Sequence, residues 1–268
     1  MKVFALCLLA FLAVPAHAVE LKGEFTQGGL VFGKAVTGEK VALDGKVLQV
    51  SPNGDFVFGF GRDAPPTATL RIERRGGAVE ERTLKVGKRQ YRIQRIDGLP
   101  KRMVTPPPEV LARIKRENAS IAKVRAKDSA MVHYRGSWAR PAPGKVTGVY
   151  GSQRILNGEP RRPHFGIDFA APVGTPVVAP AGGIVVLAHT DMYYTGGTLI
   201  LDHGHGLTSA FLHLSSLSVK QGDVVKRGQR IGAIGATGRA TGPHLDWRIN
   251  WFDRRVDPAF LLAEEDRK

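Results

Sequence analysis

Six of the eight histidines fall between residues 164 and 244, and three of them stand in segments that could hold a metal ion. The first segment, Pro163-His164-Phe165-Gly166-Ile167-Asp168-Phe169, sets a histidine and an aspartate four residues apart. That spacing would share a helix face, but Gly166 and the surrounding turn residues argue against a helix. On a straight strand the two Cα atoms would lie about 13 Å apart, too far for two ligands of one ion. The segment must therefore bend, and Gly166 is where bending costs least. The second segment, Gly242-Pro243-His244-Leu245-Asp246-Trp247, places a histidine and an aspartate two apart. Strand geometry puts both on one face, about 6.6 Å apart along the chain, as two groups converging on one centre require.

The third segment, Phe211-Leu212-His213-Leu214, sets a histidine in an apolar strand. Alone, such a histidine reads as a hydrogen-bonded core residue; beside the other two segments, a catalytic role is the stronger reading. Asp202-His203-Gly204-His205-Gly206 imitates a ligand pair, but the following glycine and the lack of a third partner favour a structural strand end and turn. His189 has the same structural reading. Arg161, Arg162, Tyr193 and Tyr194 are candidates to line a groove and meet substrate carboxylates.

These segments need a rigid support, and residues 138–262 supply the pattern for one. Val173-Gly174-Thr175-Pro176-Val177 before Ala181-Gly182-Gly183-Ile184-Val185 is echoed by Gln221-Gly222-Asp223-Val224-Val225 before Arg230-Ile231-Gly232-Ala233-Ile234. Each reads as a turn, a short strand, a glycine turn and a second strand, so two hairpins are expected in a sheet folded over on itself, as in lipoyl and biotinyl carriers. Neither turn offers the flanked lysine a carrier needs. Upstream, residues 19–98 read as five to seven short strands divided by Asp44-Gly45, Asn53-Gly54 and Gly76-Gly77, forming a small β-sandwich with no histidine or carboxylate cluster. Residues 99–137 link the two. Pro106-Pro107-Pro108 is followed by apolar residues at helical spacing (Val110, Leu111, Ile114, Ile121, Val124), predicting a basic helix over about 108–128.

Met1-Lys2, the apolar run Val3 to Val14 and the Ala16-His17-Ala18 terminus carry the marks of a signal sequence, residues 1–18. The run of about 12 residues is too short to span a bilayer as a helix. The single cysteine, Cys7, lies inside it, so a disulfide framework and a Cys-rich zinc finger are excluded. A net charge of +15 implies an anionic partner; export makes nucleic acid a poor one and a cell-wall polymer a good one. The expected location is the periplasm or another exported compartment, with no stable membrane insertion after cleavage.

His164-x3-Asp168, Phe-Leu-His213-Leu-Ser and Gly-Pro-His244-x-Asp246 together resemble the lysostaphin/LytM-type zinc metallopeptidases, family M23, over roughly 138 to 260. The resemblance implies a mainly β fold, an M23-like peptidase domain of the sandwich-hybrid kind, one Zn²⁺ per chain and peptide cross-links of peptidoglycan as substrate. It implies His164, Asp168 and Asp246 as zinc ligands, with His213 and His244 as the catalytic pair. Asp246 departs from the pattern, since the family has histidine there. Two carboxylates would neutralise the ion and weaken it as a Lewis acid, favouring higher pH or a harder metal such as Mn²⁺. The departure also leaves open a binding module that holds wall material or regulates another hydrolase.

Overall fold

The computed structural model describes residues 19–99 and 104–267. The signal sequence and residues 100–103 of the linker lie outside the described residues. The architecture is mainly β. Seven strands come first: β1 (Glu20–Gly23), β2 (Leu30–Lys34), β3 (Lys40–Leu43), β4 (Lys46–Leu48), β5 (Asp55–Gly59), β6 (Thr67–Glu73) and β7 (Val79–Lys85). They form a three-stranded sheet ordered β1-β2-β5 and a four-stranded sheet ordered β4-β3-β6-β7. β6 shows why: Ala68, Leu70 and Ile72 face in and alternate with exposed Thr67, Thr69 and Arg71. β5 is buried throughout, because the rest of the molecule packs on its second face.

β8 (Ile93–Ile96) precedes the one long helix among the described residues, α1 (Pro108–Arg125). The helix begins at a proline and ends three residues short of the predicted limit, with the Ala126 N–H bonding back to Ala122. Ile121 and Val124 lay its apolar face on Val186, Leu187, Ile200, Ala210 and Leu212. Arg113 ties it to β14 by pairing with Asp191 at 3.0 Å, and also pairs with Glu117 one turn along the same helix at 2.7 Å.

The remaining strands are β9 (Lys145–Gly148), β10 (Gln153–Leu156), β11 (Glu159–Pro160), β12 (Ile167–Ala170), β13 (Pro176–Val178), β14 (Gly183–Met192), β15 (Gly196–Gly204), β16 (Leu207–Leu217), β17 (Val224–Val225), β18 (Arg230–Ile234), β19 (His244–Trp251) and β20 (Arg254–Val256). The path β17-β14-β15-β16-β19-β12-β9 runs through a ten-stranded sheet. β10 pairs in parallel with β8 and antiparallel with β11 in a separate three-stranded sheet.

The two similar segments are not hairpins. β13 pairs with β18, the second strand of the other repeat, and β14 pairs with β17, the first. The repeats therefore interlock, each strand finding its backbone partner across the pair rather than through its own turn. Sequence similarity identifies the strands but not which of two equivalent partners each takes.

One apolar core joins the N-terminal sheets to the ten-stranded sheet, running from Val31, Phe56 and Phe58 through Trp247, Trp251 and Val256. Polar contacts seal the junction: Arg89 pairs with Asp257 at 2.9 Å, and Arg62 Nε donates to the Gly151 carbonyl at 2.8 Å. No helix of the described residues is long and apolar enough to cross a membrane.

Candidate active site

The bend at Gly166 brings His164 and Asp168 together. The His164 backbone is held on both sides by the preceding loop: its N–H donates to Ser152 and its carbonyl accepts from Gly151. The chain then enters β12, with Asp168 on it. β12 lies between β9 and β19, and the register sets Asp168 directly opposite Asp246. Two carboxylates facing each other across a strand pair repel, so this register needs cations nearby to be stable.

The side chains converge. His164 Nε2 lies 3.1 Å from Asp168 Oδ1, and His164 Nδ1 lies 3.9 Å from Asp246 Oδ2. One ligand atom from each of the three falls within 4.8 Å of the others, and all three residues are buried. Both ring nitrogens of His164 and Oδ1 of Asp168 lack a hydrogen-bond partner among the described residues. Buried polar atoms are normally satisfied, and a nitrogen with two carboxylate oxygens at this spacing is a donor set that a divalent cation satisfies. The residues present thus fit a metal ion.

Two arginines complete the charge balance. Arg154 Nη2 lies 3.4 Å from Asp168 Oδ2. Arg248 grips Asp246 with two hydrogen bonds, 2.9 Å from Nε to Oδ1 and 2.5 Å from Nη2 to Oδ2. Burial alone would raise the Asp246 carboxyl, but Arg248 and His164 outweigh it and hold the group well below the usual carboxylate range. The carboxylate stays ionised and keeps lone pairs beyond those the guanidinium occupies.

Glycines make room for the carboxylates. A Cβ on Gly148 would stand 2.1 Å from Asp168 Oδ2 and 2.7 Å from its Cγ; one on Gly166 would stand 2.3 Å from Asp246 Oδ1. We expect Gly148→Ala to displace Asp168, weakening Zn²⁺ affinity about tenfold or more in a competition titration against a chromogenic chelator, with the fold retained by circular dichroism.

His213 and His244 lie beside this cluster, their ring centroids 4.8 Å apart. Each Nδ1 meets a backbone carbonyl, Thr237 for His213 and Gly242 for His244, both at 2.8 Å. A carbonyl only accepts, so both Nδ1 atoms carry a proton and Nε2 is the nitrogen that each ring turns away from its anchor. Burial is the main cause lowering the His213 pKa, to about 4, so the ring is neutral at neutral pH. His213 also sits at a positive φ of 65°, with the register against β18 shifting just beyond it. That conformation is strained for histidine and turns its ring out of the strand's regular alternation.

A cavity of about 270 Å³ is bounded by Asp168, His213, His244, Arg154 and Arg239, with Gln94, Ile96 and Leu99 from the segment around β8. A second cavity of about 730 Å³ adjoins it, sharing Arg154, Leu156, His213 and Arg239. Arg161, Arg162 and Tyr194 line the second; Tyr193 lines neither. Arg154 and Arg248 belong to the site without any motif marking them. Arg248 does carry a signal, since residues 244, 246 and 248 share one strand face; nothing in the sequence ties Arg154 to Asp168.

Three further histidines have their partners outside this cluster. His203 is fully buried, its Nδ1 donating to the Gly182 carbonyl at 2.6 Å and its Nε2 accepting from Ser209 Oγ at 2.7 Å. His205 Nδ1 lies 3.0 Å from the Tyr134 hydroxyl, and exposed His189 accepts the Asp191 N–H. Burial lowers the His203 pKa to about 4. Between pH 6.5 and 4 the unfolded chain therefore binds a proton that the folded chain refuses. The associated stability, on the order of 3 kcal/mol, is complete above pH 6.5 and lost as the pH falls toward 4. Chemical denaturation across this range should show a shallower acid loss in His203→Gln than in the wild type.

Residues 162–258 match the model of Peptidase family M23. A putative peptidase M23 of Pseudomonas aeruginosa, of known crystal structure, superimposes with a TM-score of 0.70 at 31% identity, covering 89% of this chain and 95% of that one. The chain belongs to peptidase family M23. Curated relatives matching the M23 segment include the peptidoglycan DD-endopeptidase ShyA of Vibrio cholerae, 47% identical over 87 residues, 32% of this chain and 20% of that protein. The DD-carboxypeptidase/endopeptidase Mpg of Neisseria meningitidis is 41% identical over 97 residues, 36% of this chain and 22% of that protein. The matched stretch spans about a fifth of each of these relatives. The M23 match begins at Arg162, so it includes His164, Asp168, His213, His244 and Asp246 but not Arg154.

Proposed function

We propose that the chain is an exported zinc endopeptidase that hydrolyses peptide cross-links of peptidoglycan. The observation that carries this reading is the buried His164/Asp168/Asp246 cluster sharing a groove with two histidines whose Nδ1 atoms are anchored on carbonyls. The match to M23 enzymes named for peptidoglycan supports the substrate class. The leader pattern of residues 1–18 and the +15 charge support export and an anionic wall polymer.

His164, Asp168 and Asp246 would hold the metal. When bound, Zn²⁺ supplies Lewis acidity and makes water acidic enough to attack near neutral pH. Arg154 and Arg248 each draw charge from one carboxylate. The Asp246–Arg248 pair is then nearly neutral, as a histidine in that place would be, and this offsets the loss of Lewis acidity expected of two carboxylates. One of His213 and His244 accepts the proton of the attacking water at Nε2 and returns it to the leaving amine, and the other stands beside the developing oxyanion. Burial and the Nδ1 anchors fix both rings before substrate arrives, so little reorganisation is left for the reaction step.

Removing either ring should leave the metal bound and slow turnover. His213→Ala is expected to cost about 10²- to 10⁴-fold in kcat, with Zn²⁺ stoichiometry unchanged by elemental analysis. The reading as a whole is tested by release of soluble fragments from dye-labelled sacculi by residues 19–268. Release that stops with chelator and returns with Zn²⁺ supports it.

The bidentate hold of Arg248 on Asp246 favours one second reading, a metal-weak module that binds wall material without cutting it. Sacculus binding unimpaired by chelator, with no fragment release under added Zn²⁺, is its signature.

A further inference from the structure

The larger cavity carries positive charges beyond those that the reaction uses. Seven arginines line its about 730 Å³, and no aspartate or glutamate among the described residues does. Three of the seven reach a carboxylate: Arg154 with Asp168, Arg161 with Glu159, Arg248 with Asp246. Arg125, Arg162 and Arg255 form no ion pair with a carboxylate among the described residues. Arg125 donates to the Phe252 carbonyl and Arg255 to Asn250 Oδ1 at 2.7 Å, both neutral acceptors. Burial, with Arg125 and Arg248 adding like charge, holds the Arg255 guanidinium well below its usual pKa. Guanidiniums crowded away from water are costly unless an anion joins them.

Between the charges the walls are apolar. Leu156, Phe165, Ile200, Ala210 and Leu212 line the same space. A compact inorganic anion makes no use of such surface; a short peptide with small aliphatic side chains between carboxylates uses both. The cavity meets the catalytic groove at His213, Arg154 and Arg239, so a ligand seated in it extends to the reacting histidine.

We propose that this cavity recognises the free carboxylates of the peptidoglycan stem peptide through Arg162 and Arg255, and that the protein therefore discriminates against stems whose carboxylates are amidated. This rests on the wall-peptide reading of the site and adds the chemical form of the stem. Arg162 is exposed at the rim, and Arg255 is mostly buried deeper in. Together they present two separate forks, matching a peptide that carries carboxylates on neighbouring residues.

Calorimetric titration of residues 19–268 tests it, with a synthetic L-Ala-γ-D-Glu-diamino acid-D-Ala stem as probe, either with free carboxylates or with all of them as carboxamides. The free stem should bind at least about tenfold more tightly. Arg162→Gln, a surface change, should reduce that ratio about threefold, and Arg255→Gln should reduce it further, with Arg255→Lys recovering part of the loss. Equal affinity for both stems would overturn the proposal, as would inorganic phosphate binding as tightly as the free stem. If sacculi are not cut but the stems are still distinguished, the hydrolase reading fails and this site stands. If sacculi are cut while both stems bind equally, the site fails and the hydrolase stands.

Discussion

His164→Ala should leave a folded chain that retains less than a tenth of an equivalent of Zn²⁺ and releases fragments from sacculi about a thousandfold more slowly. A thousandfold corresponds to about 4 kcal/mol of barrier, the scale of losing Lewis-acid help at the scissile carbonyl. The expectation follows from the place of His164. It is the one nitrogen donor in the cluster, its side chain is buried, and both ring nitrogens lack a hydrogen-bond partner among the described residues. Removing the ring leaves Asp168 and Asp246 facing each other with only Arg154 and Arg248 between them and bare repulsion. Those two guanidiniums are why the fold should survive the change. A variant that keeps a full equivalent of Zn²⁺ by elemental analysis would remove His164 from the metal site.

Asp246→His, which restores the family residue, should destabilise the chain by about 3 kcal/mol rather than improve it. Arg248 is only 21% exposed and gives both its hydrogen bonds to Asp246. Taking away the carboxylate strands a largely buried guanidinium, and breaking such a pair from one side costs about 3–5 kcal/mol. The double variant Asp246→His/Arg248→Gln removes the stranded charge and should recover most of the loss. It should also bind Zn²⁺ at least as tightly as the wild type. Urea denaturation of the wild type, the two single variants and the double variant completes a thermodynamic cycle. A coupling energy near zero would mean that Arg248 does not compensate for Asp246, and the charge-equivalence argument would fall.

The clustering of histidines makes much of the candidate site legible from residue types and spacing alone. His164 and Asp168 can meet only if the chain bends, and Gly166 marks the bend because a Cβ there would collide with Asp246. His244 and Asp246 share a strand face by period alone. What the sequence conceals arises from long-range pairing. Asp168 opposite Asp246, and Gly148 opposite Asp168, follow from strand register across a sheet. The interlocking of β13 with β18 and β14 with β17 depends on which of two similar strands is the better partner in three dimensions. The seven arginines of the cavity run from Arg125 to Arg255, spread over α1, β10, β19, β20 and loops, so no local motif announces it. The connected core also qualifies the picture of separate modules. Phe58, Trp251 and Val256 belong to one cluster, so truncation near Gly136 would expose apolar surface.

The most direct test is digestion of a purified cross-linked muropeptide dimer by residues 19–268 loaded with Zn²⁺, read by mass spectrometry. The dimer should be converted to two monomers with the gain of one water, a conversion abolished in His164→Ala and slowed in His213→Ala. A dimer that stays intact with the metal bound and the protein folded would contradict it.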